Sequence, residues 1–324
     1  MSNSFRTLLQ QSQVEYTISH QNPIMLMGSC FAESIGQKLT KYKFDALINP
    51  FGILFNPISI AQSLNRLTDS NFFQANDLYF HNDEWISFSH HGKFSHYDKE
   101  KCLDAINEKL IESRIFLQKT DFLILTLGTA VSYSYQGNVV ANCHKVPQKE
   151  FQKQLFTVQD IISALTESID KVRNINEKVR IIFTVSPVRY IKYDMVENTL
   201  SKSHLIVAAH ELVSKISNCD YFPAYEIMMD DLRDYRFYCE DMIHPSQQAI
   251  NYIWTAFYNK FFNDATLNLN MLIDEVVTAK NHQLKYPSSE MGMCFKKEQL
   301  KKIRKIQSLY PQVSLEEEIA YFLE

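Results

Sequence analysis

The sequence predicts an α/β fold built on a mostly parallel sheet, and three features lead to it. Short apolar runs at 23–28, 121–128 and 179–186 read as buried strands. Segments that read as helices follow each of them, at 30–42, where the apolar residues keep a helical period, at 158–173 and at 197–217, with a further one at 100–117. Strands alternating with helices imply βαβ units, whose helices cover both faces of the sheet in a three-layer α/β/α sandwich. Binding groups in such a sheet collect at the carboxyl ends of the strands. Ser29, Gly128 and Ser186 each fall at such an end.

Taken in order, Pro-Ile-Met-Leu-Met-Gly (23–28) is the first strand. In 30–42, Phe31, Ile35, Leu39 and Tyr42 share one helical face and Glu33, Gln37, Lys38 and Lys41 lie elsewhere, so Ser29 stands at a strand-to-helix junction. Two Asn-Pro steps surround Gly52 within 44–57, which predicts a strand and a tight loop before a helix at about 58–67. The aromatic and histidine-rich 76–98 suggests short strands or a hairpin, and 131–140 an excursion around Gln-Gly-Asn. A last strand is expected at 221–228 and a helix at 246–262. The final sixty residues read as helical and more charged. They include a basic run at 296–305, best taken as a solvated helix face, and Ser314 and Glu317 at capping-box spacing. The chain is therefore divided into a domain at 1–264 and a helical extension at 265–324.

Composition narrows the functional classes. The chain has 324 residues, 45% of them hydrophobic, which is ample for a large core. A net charge of -4 provides no general field for nucleic acid or anionic lipid. No apolar stretch approaches the ~18 residues of a membrane span, and the N-terminal segment lacks a signal-peptide core, so a cytoplasmic location is expected. Six scattered cysteines without a CxxC pair read as reduced thiols rather than a disulfide frame or zinc site. His90, His91 and His96 lack a matching third ligand and read as surface or lid histidines, with His91 a pocket-lining candidate. No metal or cofactor is implied.

Two segments carry chemistry. A serine at a strand-to-helix turn can be exposed at the sheet edge, and the first amides of the following helix then point toward a developing anion. The same position also suits a plain N-cap. Asp241 precedes His244 by three residues within Glu-Asp-Met-Ile-His-Pro-Ser. That spacing lets a carboxylate hold Nδ1 and leaves Nε2 free as a general base. Cys30 reads as a small buried neighbour rather than a competing nucleophile. Arg189, Glu197 and Lys202 are candidates for anchoring an anionic or sugar substrate, against ordinary ion pairs.

Gly-Ser-Cys-Phe-Ala (28–32) spells the signature for which the GSCFA family is named. The resemblance extends to Asn-Pro-Phe-Gly (49–52), Leu-Gly-Thr-Ala (127–130), Ala-Asn-Cys-His-Lys (141–145), Ser-Pro-Val-Arg (186–189) and Asp-Met-Ile-His-Pro-Ser (241–246). That family is similar to the SGNH/GDSL hydrolase superfamily. The resemblance implies an SGNH-like sheet, Ser29 as nucleophile and Asp241/His244 as its activating pair. It also implies an oxyanion hole made of the serine amide, a glycine amide and an asparagine side chain. Gly52 matches the glycine. The block that usually reads Gly-x-Asn-Asp is here Leu-Gly-Thr-Ala, which leaves Gly128, Thr129 and the more distant Asn142 as candidates. The implied activity is hydrolysis of a small-molecule or glycan ester carrying a small acyl group. An O-acyltransferase with the same triad and a non-catalytic carbohydrate- or protein-binding module are the alternatives.

Overall fold

The computed structural model describes residues 8–10, 14–69, 71–192, 194–282 and 284–323. Its strands are β1 (Ile24–Gly28), β2 (Ala46–Ile48), β3 (Tyr79–His81), β4 (Glu84–Ile86), β5 (Phe122–Leu127), β6 (Val131–Tyr135), β7 (Asn138–Val140), β8 (Phe151–Leu155), β9 (Arg180–Val185) and β10 (Cys219–Phe222). The central sheet has the order β10-β9-β5-β1-β2. Its β1–β5, β5–β9 and β9–β10 pairs are parallel. The order doubles back between β1 and β5, and such a switch point opens a crevice at the carboxyl ends of the strands. Gly28, Thr126 and Thr184 form one row across β1, β5 and β9, so Ser29 lies one residue beyond the sheet.

The helices are α1 (Cys30–Lys41), α2 (Pro57–Thr68), α3 (Lys99–Lys119), α4 (Val158–Ile175), α5 (Met195–Lys215), the single turn α6 (Ala224–Glu226), α7 (Gln247–Phe261), α8 (Asp264–Asn281), α9 (Glu290–Leu309) and α10 (Glu316–Leu323). Their starts are written locally. Asn56 caps α2 ahead of Pro57, Asp98 caps α3, and Thr157 with Asp160 forms a capping box on α4.

One face of the sheet contributes Met25, Met27, Leu123, Leu125, Ile181 and Phe183 to a core shared with α2, α4 and α5. The alternate residues Leu26, Ile124 and Ile182 are also fully buried, as strands covered on both faces require. The architecture is thus an α/β/α sandwich with further helices at the C-terminal end.

Two departures from the sequence reading have simple causes. The strand expected at 221–228 ends at Phe222, because Pro223 has no N–H for the ladder. The chain then winds through α6 into a π-helical turn, Ile227–Asp231. The excursion after β5 is a three-stranded antiparallel sheet, β7-β6-β8, turned at Gln136 and Gly137 with positive φ. Its strand β8 carries no strand signal in sequence, since Phe-Gln-Lys-Gln-Leu is apolar only at its ends.

The chain forms two compact units, one of residues 1–10, 24–36 and 47–253, the other of 11–23, 37–46 and 254–324. The division at 253/254 falls inside α7 rather than in a linker. The second unit has its own core, with Leu269, Ile273, Ile303, Val313 and Phe322 among its residues. The basic run lies on α9, where Lys301 pairs with Glu298 and Lys302 with Glu275 on an exposed face. Among the described residues no helix is long and apolar enough to cross a membrane.

Candidate active site

The serine is placed by a glycine that nothing else can replace. Gly28 has φ of +139°, and a Cβ there would lie 2.1 Å from Thr126 O. The close approach lets β1 turn directly into α1. Beyond it, Ser29 N donates to Thr126 O (3.2 Å), and Ser29 O accepts from Ala32 N (2.9 Å). Ser29 Oγ faces Phe31 N at 3.3 Å, the geometry of a helix N-cap. Ser29 is 1% exposed.

Asp241 and His244 meet on the loop before α7. Asp241 Oδ2 binds His244 Nδ1 at 2.6 Å, while Oδ1 accepts the Ile243 and His244 amides at 2.9 and 3.0 Å. The carboxylate is pulled down to about 2, first by the His244 amide, then by the imidazole and the Ile243 amide. Met242 takes φ of 56° to close this turn. The loop is pinned by Cys239 N to His244 O (2.7 Å) and Arg189 N to Ile243 O (3.2 Å). Nδ1 is thereby held as donor, so in the neutral ring Nε2 is the nitrogen that carries the lone pair. Both side chains are nearly half exposed, 44% and 48%. Among the described residues no hydrogen bond joins Ser29 Oγ to His244.

A buried amine ties the strand ends together. Lys202 of α5 is 1% exposed, and its Nζ donates at 2.7 Å both to Gly128 O beyond β5 and to Ser186 O beyond β9. Burial drives this amine down to about 7, with Cys30 an electrostatic neighbour that raises it. Lys202 is therefore a brace at the carboxyl edge of the sheet, and its burial removes it from the ion-pair role considered from sequence.

The other sequence candidates divide into those near this edge and those held elsewhere. Gly52, with φ of +80°, packs so tightly on His91 that a Cβ would come within 2.2 Å of the His91 Cβ. Its amide donates to Asn49 O at 2.8 Å. The Gly128 and Thr129 amides both donate to Phe55 O, at 2.9 and 2.8 Å. The Thr129 hydroxyl bonds Ser201 Oγ at 2.9 Å. Asn142 Oδ1 accepts from His144 N at 2.8 Å and so caps a turn. His91 caps the short turn Gly92–Phe94. Arg189 donates from Nε to the Tyr238 hydroxyl (3.0 Å) and stacks on that ring, bracing the segment that carries the dyad. Glu197 pairs with Lys153.

The histidine cluster also separates. His90 is not a surface histidine: it is 2% exposed, stacks on Phe51 at 5.0 Å and binds Ser87 Oγ at 2.8 Å. Burial lowers it to about 3, which keeps it neutral. Among the described residues no group of three His, Cys, Asp or Glu side chains is gathered for a metal.

Two residues at the carboxyl edge of the sheet have roles that the sequence does not disclose. Lys202 reads from sequence as a candidate substrate anchor, not as a brace between Gly128 O and Ser186 O. Asn49 stands in Asn-Pro-Phe-Gly with no role legible in sequence, although its side chain accepts the Gly28 amide at 2.9 Å. A polar residue directly before proline at the end of a short apolar strand is the available signal.

Comparison with known proteins gives a family and a distant structural likeness. The chain covers 99% of a carbohydrate esterase family 3 structure from Talaromyces cellulolyticus over 78% of its own length, with 11% identity and a TM-score of 0.36. For a family 3 carbohydrate esterase from Clostridium thermocellum the figures are 97%, 77%, 10% and 0.36. No curated protein sequence matches the chain. The profile of the GSCFA family matches residues 23–257, most of the chain, with the Ser29 junction and the Asp241–His244 loop inside it, and the protein belongs to the GSCFA family.

Proposed function

We propose that the protein is a serine hydrolase of the SGNH type that cleaves esters of small acyl groups, with carbohydrate esters the first class to test. The observation that supports this most directly is the Asp241–His244 pair, whose 2.6 Å bond and two amide contacts leave Nε2 as an acceptor. Ser29, at the head of α1 and beside the switch point, is the nucleophile in this reading.

In the first half-reaction the Ser29 hydroxyl gives its proton to His244 Nε2, and Oγ forms a bond to the acyl carbon. The carbonyl π pair moves onto oxygen. When that pair returns, the bond to the leaving alkoxide breaks, and the alkoxide takes the proton from Nε2. Water repeats the sequence on the acyl-enzyme and releases a carboxylic acid. Asp241 remains ionised throughout and stabilises the imidazolium. Because Ser29 is 1% exposed, productive encounter requires the Asp241–His244 loop or a neighbouring loop to move.

One observation favours a second reading, O-acyl transfer to a sugar hydroxyl. A serine this buried would carry an acyl group shielded from bulk water. The test for both is labelling by a serine-directed fluorophosphonate, mapped by peptide mass, followed by turnover of acetylated sugars with and without an acceptor sugar. A single adduct on Ser29 that needs His244 supports the mechanism. Product partitioning between acetate and acetylated acceptor separates the two outcomes. A well-folded protein with no adduct on Ser29 overturns it.

A further inference from the structure

The amides that would ordinarily stabilise an oxyanion beside Ser29 are already engaged. Ser29 N donates to Thr126 O, Gly52 N to Asn49 O, and Gly128 N to Phe55 O. The Leu-Gly-Thr-Ala block brings no asparagine. Among the described residues, Asn49 Nδ2, on the side chain that holds Gly28 N, is a buried donor with no hydrogen-bond partner.

Asn49 follows β2 and is 1% exposed, with a left-handed φ of 44° that asparagine tolerates. Its amide donates to Leu26 O (2.8 Å), which seats it against β1. Its side chain receives the Gly28 amide at 2.9 Å. The atom that accepts an N–H is the carboxamide oxygen, so the other terminal atom is the NH2 group, with two protons to donate. The bond sets the unpaired NH2 within ~5 Å of Gly28 N, one residue before Ser29. A buried carboxamide donor without an acceptor carries a desolvation cost, and such a cost is kept where an acceptor arrives in function.

We propose that Asn49 Nδ2 is an oxyanion donor for acyl transfer at Ser29, supplying from the Asn-Pro-Phe-Gly segment what the Leu-Gly-Thr-Ala block lacks. The proposal rests on the Ser29 hydrolase reading. Nδ2 is preorganised, because its carboxamide is held by Gly28 N, and it gains its missing acceptor when negative charge develops on the acyl oxygen.

The test is the rate of Ser29 labelling by an alkyl fluorophosphonate and by its P=S analogue, in the full-length wild type and two variants. No natural substrate is needed, since the phosphoryl oxygen occupies the position of the carbonyl oxygen. Asn49→Asp retains an acceptor for Gly28 N and loses the donor. Asn49→Gly tolerates the positive φ, adds no buried charge and loses both. The P=O reagent should react about 10²–10³ times more slowly with both variants. The P=S reagent should lose far less, because sulfur is a weak hydrogen-bond acceptor, so the P=O to P=S ratio falls.

If Asn49 only props up Gly28, Asn49→Asp reacts like the wild type and Asn49→Gly slows with both reagents equally. Either pattern overturns the proposal. Should Asn49→Asp not fold, the ratio in Asn49→Gly decides alone. A wild-type protein that takes no label on Ser29 overturns the hydrolase reading and this assignment together. A labelled wild type with unchanged ratios in the variants overturns only the assignment of Asn49.

Discussion

The two halves of the candidate site are built in opposite ways. Ser29 is 1% exposed and follows a strand whose last residues sit in register with Thr126 and Thr184 across the sheet. Asp241 and His244 are nearly half exposed on a loop held by a handful of hydrogen bonds. The Ser29 end derives its position from the core strands, and the Asp241–His244 end derives its own from a local turn. A substitution at the base should therefore alter chemistry with little effect on the fold, whereas one behind the serine alters both. The difference also locates movement: the weakly held half is the one that can adjust to a substrate.

The largest expected effect is at Ser29, the proposed nucleophile. Ser29→Ala should lower kcat by about 10⁴–10⁶ and abolish fluorophosphonate labelling. Since Ser29 also caps α1, the variant should lose about 1 kcal/mol of stability, a modest fall in Tm by calorimetry. A variant that keeps wild-type turnover removes Ser29 from the mechanism.

At the base, Asp241→Asn should lower kcat by about 10³–10⁴ through the wrong imidazole tautomer, with Tm nearly unchanged. Asp241 lies at about 2 against an ordinary 3.8, so it is ionised throughout the neutral and mildly acidic range. The acidic limb of kcat/KM should then follow a single protonation. A limb of slope two would make Asp241 a titrating participant and contradict the arrangement. Its depressed value also means that any stability it contributes is present above 3.8 and lost as pH falls toward 2.

Behind the serine, Lys202→Met should act chiefly on stability. It leaves Gly128 O and Ser186 O without their shared donor. At pH 9 the loss should be about 1–3 kcal/mol by denaturant titration. The folded amine sits near 7 against an ordinary 10.5. Between those values the unfolded chain binds the proton and the folded one does not, so wild-type stability rises with pH across that window. The gap between wild type and Lys202→Met should widen from pH 7 to pH 10. A constant gap would mean that the amine is not desolvated.

This contrast also explains what the sequence discloses. β1, β5 and β9 are continuous apolar runs, and Gly28 followed by Ser29 marks the turn, so the nucleophile end is legible from a few neighbouring residues. The Asp241–His244 pair is legible because both partners lie within one turn. The Lys202 brace is not, because its partners Gly128 and Ser186 are backbone carbonyls distant in sequence. Asn49 is hidden for the same reason: its acceptor role toward Gly28 exists only after β2 is laid against β1. His90 resembles a surface histidine in an aromatic, polar stretch, and only packing against Phe51 and Phe73 reveals it as core. The division inside α7 is equally invisible, because an unbroken helical period carries no mark of it.

The smallest effect belongs to Cys30, next to the nucleophile. Burial raises its thiol above the ordinary value, and Glu33 pushes the same way, against opposing pulls that include Lys202. A thiol kept protonated is a poor nucleophile. Its side chain also projects about 100° around α1 from that of Ser29. Cys30→Ser should hence keep kcat within about threefold of wild type, the range of an isosteric change outside the reacting atoms. Iodoacetamide at pH 8 provides an independent check. Cys239 and Cys294 are exposed and should alkylate well before Cys30. Rapid modification of Cys30, or loss of turnover in Cys30→Ser with Ser29 intact, would move the nucleophile one residue along the helix and make Ser29 only its cap.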